Sequence, residues 1–408
     1  MPLVVQKYGG SSLAGIKHLV TVARRIARRR RRGDRLVIVV SAMGNTTDKL
    51  YRQALTVNPA PPPRELDMLL TTGERQAMAL LSLALFHQGQ QACSFTGSQV
   101  GIITDRSHSD ARIQEIRLFR ITDALRAGNV PIVAGFQGVS DEREITTLGR
   151  GGSDVTAVAL AAALRADRCE FYKDVDGVFT ENPAEFPQAK PVREITFGEL
   201  TELAQAGASV IHPRACAIAE KYRVPCVIRS SFNNKRGTMV TEKLPMEKAF
   251  VRAITHQPAV ARLALIDVVK KERCLHQVIT SLSTARVPVL LFNHGVTHHD
   301  RFDLIFYIPG SHLSRATGLL QPLWKKHGAH DLLVDSNFSA VSLVGPGVGT
   351  DSDIIGETFA TLHQAQIHLE AFALSALRLT CFIRARELKL AVTALLSRFR
   401  LTRRGATR

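Results

Sequence analysis

The strongest constraint on this chain is the alternation, across its first 240 or so residues, of short apolar runs with helix-length stretches. Leu36-Val37-Ile38-Val39-Val40 has no polar alternation, which is how a strand covered on both faces reads. Similar runs are expected as strands at 3–6, 91–95, 130–134, 168–172 and 225–229. Between them, helical periodicity is expected at 15–32, 74–88, 110–127, 153–165, 196–206 and 212–222. Alternation on this scale predicts an α/β fold with an open, mostly parallel sheet sandwiched by helices.

Residues 243–248 read as a linker. Beyond it, strands are expected at 261–268, 287–292, 302–308, 340–344, 367–371 and 377–383, and helices at 274–285, 312–327, 353–365 and 387–399. Two β-α-β-β-α units of roughly 70 residues each predict two small α+β, ferredoxin-like domains. The expected division is 1–242, 249–335 and 338–400, with a basic tail at 401–408 read as disordered.

Composition narrows the function classes. The net charge of +17 favours anionic ligands. The cluster from Arg24 to Arg32 has no interleaved aromatics to stack bases, and is read as the solvated face of the first crossover helix. No run of 18 apolar residues and no signal-peptide pattern appears, so a cytoplasmic protein is expected. Six scattered cysteines without a CxxC pair are read as reduced, buried hydrophobes, with no zinc site. His294, His298, His299 and Asp300 fall in an expected loop and are not taken as metal ligands.

The sequence lacks GxxxxGK[ST], which excludes a P-loop enzyme. Other phosphate-handling signals are present. Lys7-Tyr8-Gly9-Gly10-Ser11-Ser12 follows the first strand, where two glycines let backbone amides approach a phosphate. Lys7 can neutralise charge on a transferring phosphoryl group. Thr147-Leu148-Gly149-Arg150-Gly151-Gly152-Ser153-Asp154 opens a helix, with Arg150 able to grip a carboxylate by two parallel hydrogen bonds. Asp154 lies in that helix's first turn, where a carboxylate also reads as a cap. Lys173-Asp174-Val175-Asp176-Gly177-Val178 follows another strand, and by itself reads as a solvated acidic turn.

Taken together and in order, these blocks resemble the aspartate kinase family within the wider amino-acid kinase fold. The resemblance also rests on Val40-Ser41-Ala42-Met43-Gly44, Thr46-Thr47-Asp48, Gly73-Glu74, Phe95-Thr96-Gly97-Ser98-Gln99, Ala134-Gly135-Phe136-Gln137-Gly138, Gly207-Ala208, Val210-Ile211-His212-Pro213-Arg214 and Arg229-Ser230-Ser231-Phe232. It covers residues 1 to about 241, and the C-terminal repeat is similar to the paired ACT domains such enzymes carry.

The resemblance implies transfer of the γ-phosphoryl group of ATP, with Mg²⁺, to the β-carboxylate of L-aspartate, as the first step of lysine, threonine and methionine biosynthesis. It implies that Lys7 meets the transferring group and that Asp154 organises Lys7 and the metal. Tyr8, Gly9, Gly10 and Ser11 would cradle ATP, with Lys173, Asp174, Val178, Phe179, Thr180 and Pro183 facing the nucleotide. Ser41, Thr47, Glu74, Arg150, Gly151, Gly152 and Ser153 would bind aspartate, Glu74 taking its amino group. A homo-oligomer through the ACT domains is implied, with neither a specific nucleic-acid partner nor a membrane.

The chemistry needs no general base. A carboxylate nucleophile with a pKa of ~3.9 is already ionised at neutral pH. What remains is to bring two anions together, which demands positive charge and positioning. The sequence also departs from the family. Tyr8 stands where phenylalanine is usual, Lys173 where threonine is common, and Ala184 where an arginine is usual. The Pro-Gly pair expected after the first strand of each ACT unit is replaced by Val269-Lys270-Lys271-Glu272 and Asp351-Ser352-Asp353-Ile354. Pro288 and His368 occupy the effector-contacting asparagine positions, and proline offers no N–H, so little response to lysine or threonine is expected. The competing readings are a relative acting on another substrate, a catalytically dead amino-acid sensor, and a nucleic-acid binder.

Overall fold

The computed structural model describes all residues except 209, 243–248, 270, 297–300, 327–328 and 404–408. The expected linker, and His298, His299 and Asp300, therefore lie outside the described residues. The chain forms two compact units: Met1–Phe179, Pro191–Ala204 and Ser209–Met246 in the first, and Thr180–Lys190, Gln205–Ala208 and Glu247–Arg408 in the second.

The first unit runs β1 (Leu3–Tyr8), α1 (Ile16–Arg31), β2 (Arg35–Val40), α2 (Thr46–Val57), α3 (Pro63–Leu70), α4 (Thr72–His87), β3 (Ala92–Phe95), β4 (Ile102–Thr104), β5 (Ile113–Ile116), α5 (Phe119–Arg126) and β6 (Val130–Ala134). It continues through β7 (Gln137–Ser140), β8 (Ile145–Thr147), α6 (Gly152–Ala163), β9 (Arg168–Lys173), β10 (Glu194–Thr196), α7 (Phe197–Gln205), α8 (Pro213–Lys221), β11 (Cys226–Ser230) and β12 (Thr238–Thr241). The main sheet has the order β10-β12-β11-β9-β1-β2-β6-β3, antiparallel only between β11 and β12. Val4, Val5 and Leu36 to Val40 are fully buried, as a sheet covered on both faces requires. Leu19, Val22 and Ile26 of α1 and Ala77, Leu81 and Leu85 of α4 share a core with the sheet. Each leucine, valine or isoleucine among them contributes about 1.5–3 kcal/mol on burial.

The pairing of Tyr8 with both Val40 and Tyr172, and of Val40 with Ala134, aligns the carboxyl ends of β1, β2, β6 and β9 along one edge. This is where open α/β sheets present ligand sites.

Two features of this unit depart from expectation. The helix foreseen at 110–127 is a strand, β5, followed by a helix only from Phe119. Pairing of Ile102 with Ile116, and the hydrogen bond from Ala111 N–H to the Thr147 carbonyl at 2.9 Å, hold this stretch extended. The result is a small sheet, β5-β4-β7-β8, whose strands of three and four residues are too short to show periodicity. The basic cluster is also not a merely solvated face. Arg25 donates to the carbonyls of Ser230 and Asn233, Arg30 to those of Asp34 and Gly128, and Arg31 to that of Gln88. Arg29 pairs with Asp34 and with the fully buried Glu170.

Glu170 also accepts from Gln6 Nε2 at 2.9 Å, Tyr172 Oη at 3.0 Å and Arg168 Nε at 2.8 Å. Burial pushes its pKa up, but the Arg168 hydrogen bond and the Arg29 and Arg229 charges outweigh burial and hold it below the usual range.

The second unit runs β13 (Ala253–Val269), α9 (Lys271–Thr284), β14 (Leu291–Val296), β15 (Arg301–Pro309), α10 (Leu313–Lys326), β16 (Asp331–Val344), α11 (Ser352–Gln364), β17 (Ala371–Ser375), β18 (Arg378–Arg384) and α12 (Leu388–Arg398). Its six strands form one antiparallel sheet, β14-β15-β13-β16-β18-β17. Two α+β halves share it through the long strands β13 and β16. Leu263 and Leu265 of β13 enter a core with Val278, Phe302 and Leu320, whereas Ile254 of the same strand enters another with Val341, Leu379 and Leu395. His294 lies in β14.

The described start of the basic tail is not disordered. Leu401 is buried, its carbonyl accepts the Thr180 hydroxyl at 2.7 Å, and Arg403 N–H donates to the Gln188 carbonyl at 2.9 Å. The Thr180 carbonyl accepts from Ile254 N–H at 2.7 Å, which is why Thr180–Lys190 packs with the C-terminal strands.

Removing the Glu170 carboxylate would leave Gln6 and three arginine side chains without their shared acceptor. Glu170→Ala is expected to cost about 3 kcal/mol of stability, read from the shift in guanidinium chloride midpoint. An unchanged midpoint would show that the network contributes nothing net.

Candidate functional site

Lys7, next to the end of β1, and Asp154, in the first turn of α6, are 6% and 4% exposed. Their Nζ and Oδ1 atoms are 2.7 Å apart. Asp154 Oδ2 accepts the backbone N–H of His212 at 3.3 Å and lies 3.8 Å from Lys173 Nζ, at the end of β9. Burial would raise the Asp154 pKa, but the ammonium groups of Lys173 and Lys7 and the His212 N–H outweigh it and bring it to about 2. Burial lowers the Lys173 pKa, and Asp154 only partly offsets this. Two ammonium groups thus face one carboxylate, and the cluster carries excess positive charge in a poorly solvated place. Such a cluster attracts and neutralises an anion.

The loop after β1 packs close to its neighbours. A Cβ on Gly10 would lie 2.8 Å from the Gly44 carbonyl oxygen and 2.9 Å from that of Ala42. Gly9 N–H donates to the Tyr172 carbonyl at 3.3 Å, and Ser11 is exposed. The Tyr8 ring is fully buried and stacked on Tyr172 at 4.7 Å. The ring is thus part of the core, which leaves the Tyr8 backbone to face the loop. A single 3-10 turn, Ser11–Leu13, follows this loop, and α1 starts at Ile16, within one residue of the expected 15–32.

The second loop requires its glycines. Gly149 and Gly151 have φ of +75° and +70°, and a Cβ on Gly151 would come within 2.3 Å of the His212 ring. Gly152 and Ser153 open α6, and Ser153 is buried against Gly135. Arg150 is exposed and bonds to no described residue, which leaves its guanidinium available to an anion.

Glu74, in the first turn of α4, is 3% exposed. Its Oε1 accepts Ala42 N–H at 3.1 Å, while its buried Oε2 has no partner among the described residues. A buried carboxylate oxygen without a donor is costly, and calls for a bound one. Burial pushes the Glu74 pKa up to about 7, only partly opposed by the Ala42 N–H and the charge of Lys7. Ala42 follows Ser41, whose N–H donates to the Tyr8 carbonyl at 3.1 Å. Thr47, in the first turn of α2, is half-buried.

The structure thus brings together Lys7, Asp154 and Lys173, with Gly9 beside Lys7 and Glu74 bound to the backbone that follows Ser41. Asp174 is exposed just past β9, Val178 is buried, and Phe179 bridges Pro191. Thr180 and Pro183 belong to the second unit. The Thr180 hydroxyl donates to the Leu401 carbonyl and accepts from Lys190 N–H.

Two site residues had no role assigned from sequence. His212 supplies the N–H on Asp154 and walls Gly151. Arg214 donates to Asp110 Oδ1 at 3.0 Å and to the carbonyls of Leu148 and Ala111, fastening the glycine loop. Their only sequence signal was the block His212-Pro213-Arg214.

The Amino acid kinase family model matches residues 2–230. An aspartokinase of Mycolicibacterium smegmatis is 41% identical over 98% of this chain and 97% of that protein. One of Geobacillus stearothermophilus is 39% identical over 100% of this chain and 99% of that protein. Among solved structures, E. coli aspartokinase III in complex with aspartate and ADP superposes with a TM-score of 0.80 over 97% of this chain and 99% of that one, at 24% identity, a likeness of fold.

Glu74 also gives a pH signature. Its pKa is 4.5 as the ordinary value and about 7 in the fold, so the folded state holds the proton more tightly. Its contribution to stability is full below about pH 4.5 and is lost as pH rises through about 7. Without ligand, Glu74→Gln should gain stability relative to wild type between about pH 5 and 8, by on the order of 2–3 kcal/mol. Denaturant unfolding at each pH measures this, and parallel pH profiles for the two proteins contradict it.

Proposed function

Because the chain belongs to the amino acid kinase family, and within it to the aspartate kinases, we propose that it transfers the γ-phosphoryl group of ATP to the β-carboxylate of L-aspartate, giving 4-phospho-L-aspartate for amino-acid biosynthesis. The observation that supports this chemistry is the buried Lys7–Asp154–Lys173 cluster at the carboxyl edge of the sheet. Each residue then has a task. Lys7 faces the transferring phosphoryl group, and Asp154 holds Lys7 in place. Gly9, Gly10 and Ser11 approach the ATP phosphates, with Lys173, Asp174 and the backbone near Val178 and Phe179 toward the nucleotide.

On the acceptor side, the ammonium group of aspartate supplies the donor that Glu74 Oε2 lacks. Its charge also favours the ionised form of Glu74, reversing the effect of burial. Arg150 takes the α-carboxylate in a bidentate grip, beside Gly151, Gly152 and Ser153, while Ser41 and Thr47 line the β-carboxylate. That carboxylate is ionised, so it attacks without a base, and the remaining work is neutralising the approach of two anions. Among the described residues no cluster of three or more His, Cys, Asp or Glu side chains is placed to hold a metal. Asp154 or Asp174 would hold Mg²⁺ together with the nucleotide phosphates, and the ion would supply further charge neutralisation.

The setting is cytoplasmic in this reading, and no described helix is long and apolar enough to cross a membrane. The second unit assembles the protein as a homo-oligomer. Supporting this, the edge strand β17 exposes Phe372 and Leu374 at 45% and 47%. Effector control is weak in this reading because Pro288 and His368, which the structure places in the segments leading into β14 and β17 and not within those strands, replace the asparagines of the effector-contacting positions.

Lys7→Ala is expected to keep the fold and lower kcat by about 10²–10³ in a coupled ADP-release assay. In the same assay succinate, which lacks the amino group, should be a far poorer acceptor than aspartate. A Lys7→Ala enzyme with more than half the wild-type rate, or succinate equal to aspartate, contradicts these assignments. Titrating lysine and threonine, singly and together, against the initial rate should leave it nearly unchanged. Inhibition at sub-millimolar effector would show a competent effector site.

A further inference from the structure

Asp67, in α3, is fully buried and takes no part in the chemistry described above. Its carboxylate is nevertheless the most heavily hydrogen-bonded group near the glycine loop. Oδ1 accepts the Thr147 hydroxyl at 2.6 Å. Oδ2 accepts Thr147 N–H at 3.0 Å, Ser109 N–H at 3.0 Å and a contact from His108 Nδ1 at 2.9 Å. A buried carboxylate is tolerable only when its lone pairs are used in this way.

Both ends of this connection lead to the acceptor site. The Asp67 carbonyl accepts Thr71 N–H at 3.2 Å where α3 ends, α4 begins at Thr72, and Glu74 lies in its first turn. Thr147 ends β8, and Leu148, Gly149 and Arg150 follow. Ser109 is held at φ +67°, and its carbonyl oxygen would lie 3.1 Å from a Cβ on Gly149, so the strap that Asp67 grips is also the bed of that loop. Arg214 fastens the far side by bonding Asp110 and the Leu148 carbonyl.

We propose that Asp67 is a positioning residue for acceptor recognition: through Thr147 and Ser109 it fixes the separation between Glu74, which takes the amino group, and Arg150, which takes the α-carboxylate. The inference rests on the aspartate reading of the site. Asp67 touches no substrate. It acts because a ligand held at both ends by rigid groups is sensitive to small changes in their spacing. Among the described residues the nucleotide side, built on β1 and β9, has no bond to Asp67, and it should not respond.

The test is steady-state kinetics of Asp67→Asn, Thr147→Val and the double variant, varying aspartate and ATP separately. Asparagine keeps the shape but replaces one acceptor oxygen with a donor. Asp67→Asn should raise the KM for aspartate about tenfold or more while the KM for ATP stays within about twofold. Thr147→Val, which removes only the hydroxyl bond, should raise the aspartate KM by roughly threefold, and the double variant should match Asp67→Asn alone. Equal changes in both KM values, no change in either, or full additivity in the double variant overturns the inference. If Asp67→Asn does not fold, Thr147→Val decides alone: an aspartate-only shift upholds the role, and its absence overturns it. A wild-type enzyme without aspartate-dependent turnover sinks the functional reading and this inference with it. Normal wild-type turnover with insensitive variants sinks only this inference.

Discussion

Lys7 and Asp154 meet at 2.7 Å with almost no solvent around them, and much of the first unit can be understood as the means of holding them there. Taking two charges out of water costs several kcal/mol per ion, and a pair in isolation need not stabilise a fold. This pair is not isolated, because Lys173 and the His212 N–H also converge on Asp154. Within the trio Lys7, Asp154 and Lys173 the geometry leaves one positive charge in excess, which suits a site that must accept a phosphoryl group and a carboxylate at once.

The sheet makes this arrangement possible. Parallel register places the ends of β1, β2, β6 and β9 side by side, so residues far apart in sequence face a common edge. The loops leaving that edge approach so closely that side chains are excluded at Gly10 and Gly151. Under the sheet edge, Tyr8 and Tyr172 stack, and Glu170 gathers Gln6 and the arginines into a rigid floor. Rigidity matters because a displacement of about 1 Å in such a site can cost on the order of 10² in rate.

How much of this was legible in the sequence depended on the range of the interaction. The long β-branched strands of the central sheet were readable because burial on both faces leaves a continuous apolar run, as in Leu36 to Val40. The strands β4, β7 and β8 were not, since three or four residues cannot establish a period, and tertiary hydrogen bonds overrode a helical pattern at 110–116. Lys7, Arg150 and the glycines announced themselves by type and place. Glu74 was found only through family resemblance, because nothing local marks a glutamate as buried and half-partnered. Asp67 was not found at all: its bonds to Thr147 span 80 residues, and no local pattern encodes them. The stacking of Tyr8, the hydroxyl bond of Thr180 and the ion pair of Arg29 were illegible for the same reason, since each has a partner more than 140 residues distant.

The central claim is that the excess positive charge around Asp154 serves transfer of a phosphoryl group to the side-chain carboxylate of aspartate. The most direct test is to run the enzyme with ATP, Mg²⁺, aspartate and hydroxylamine, and to identify the trapped hydroxamate by mass spectrometry and NMR. The account predicts the β-hydroxamate of aspartate, formed in step with ADP. ADP release without hydroxamate, or trapping at the α-carboxylate, would contradict it.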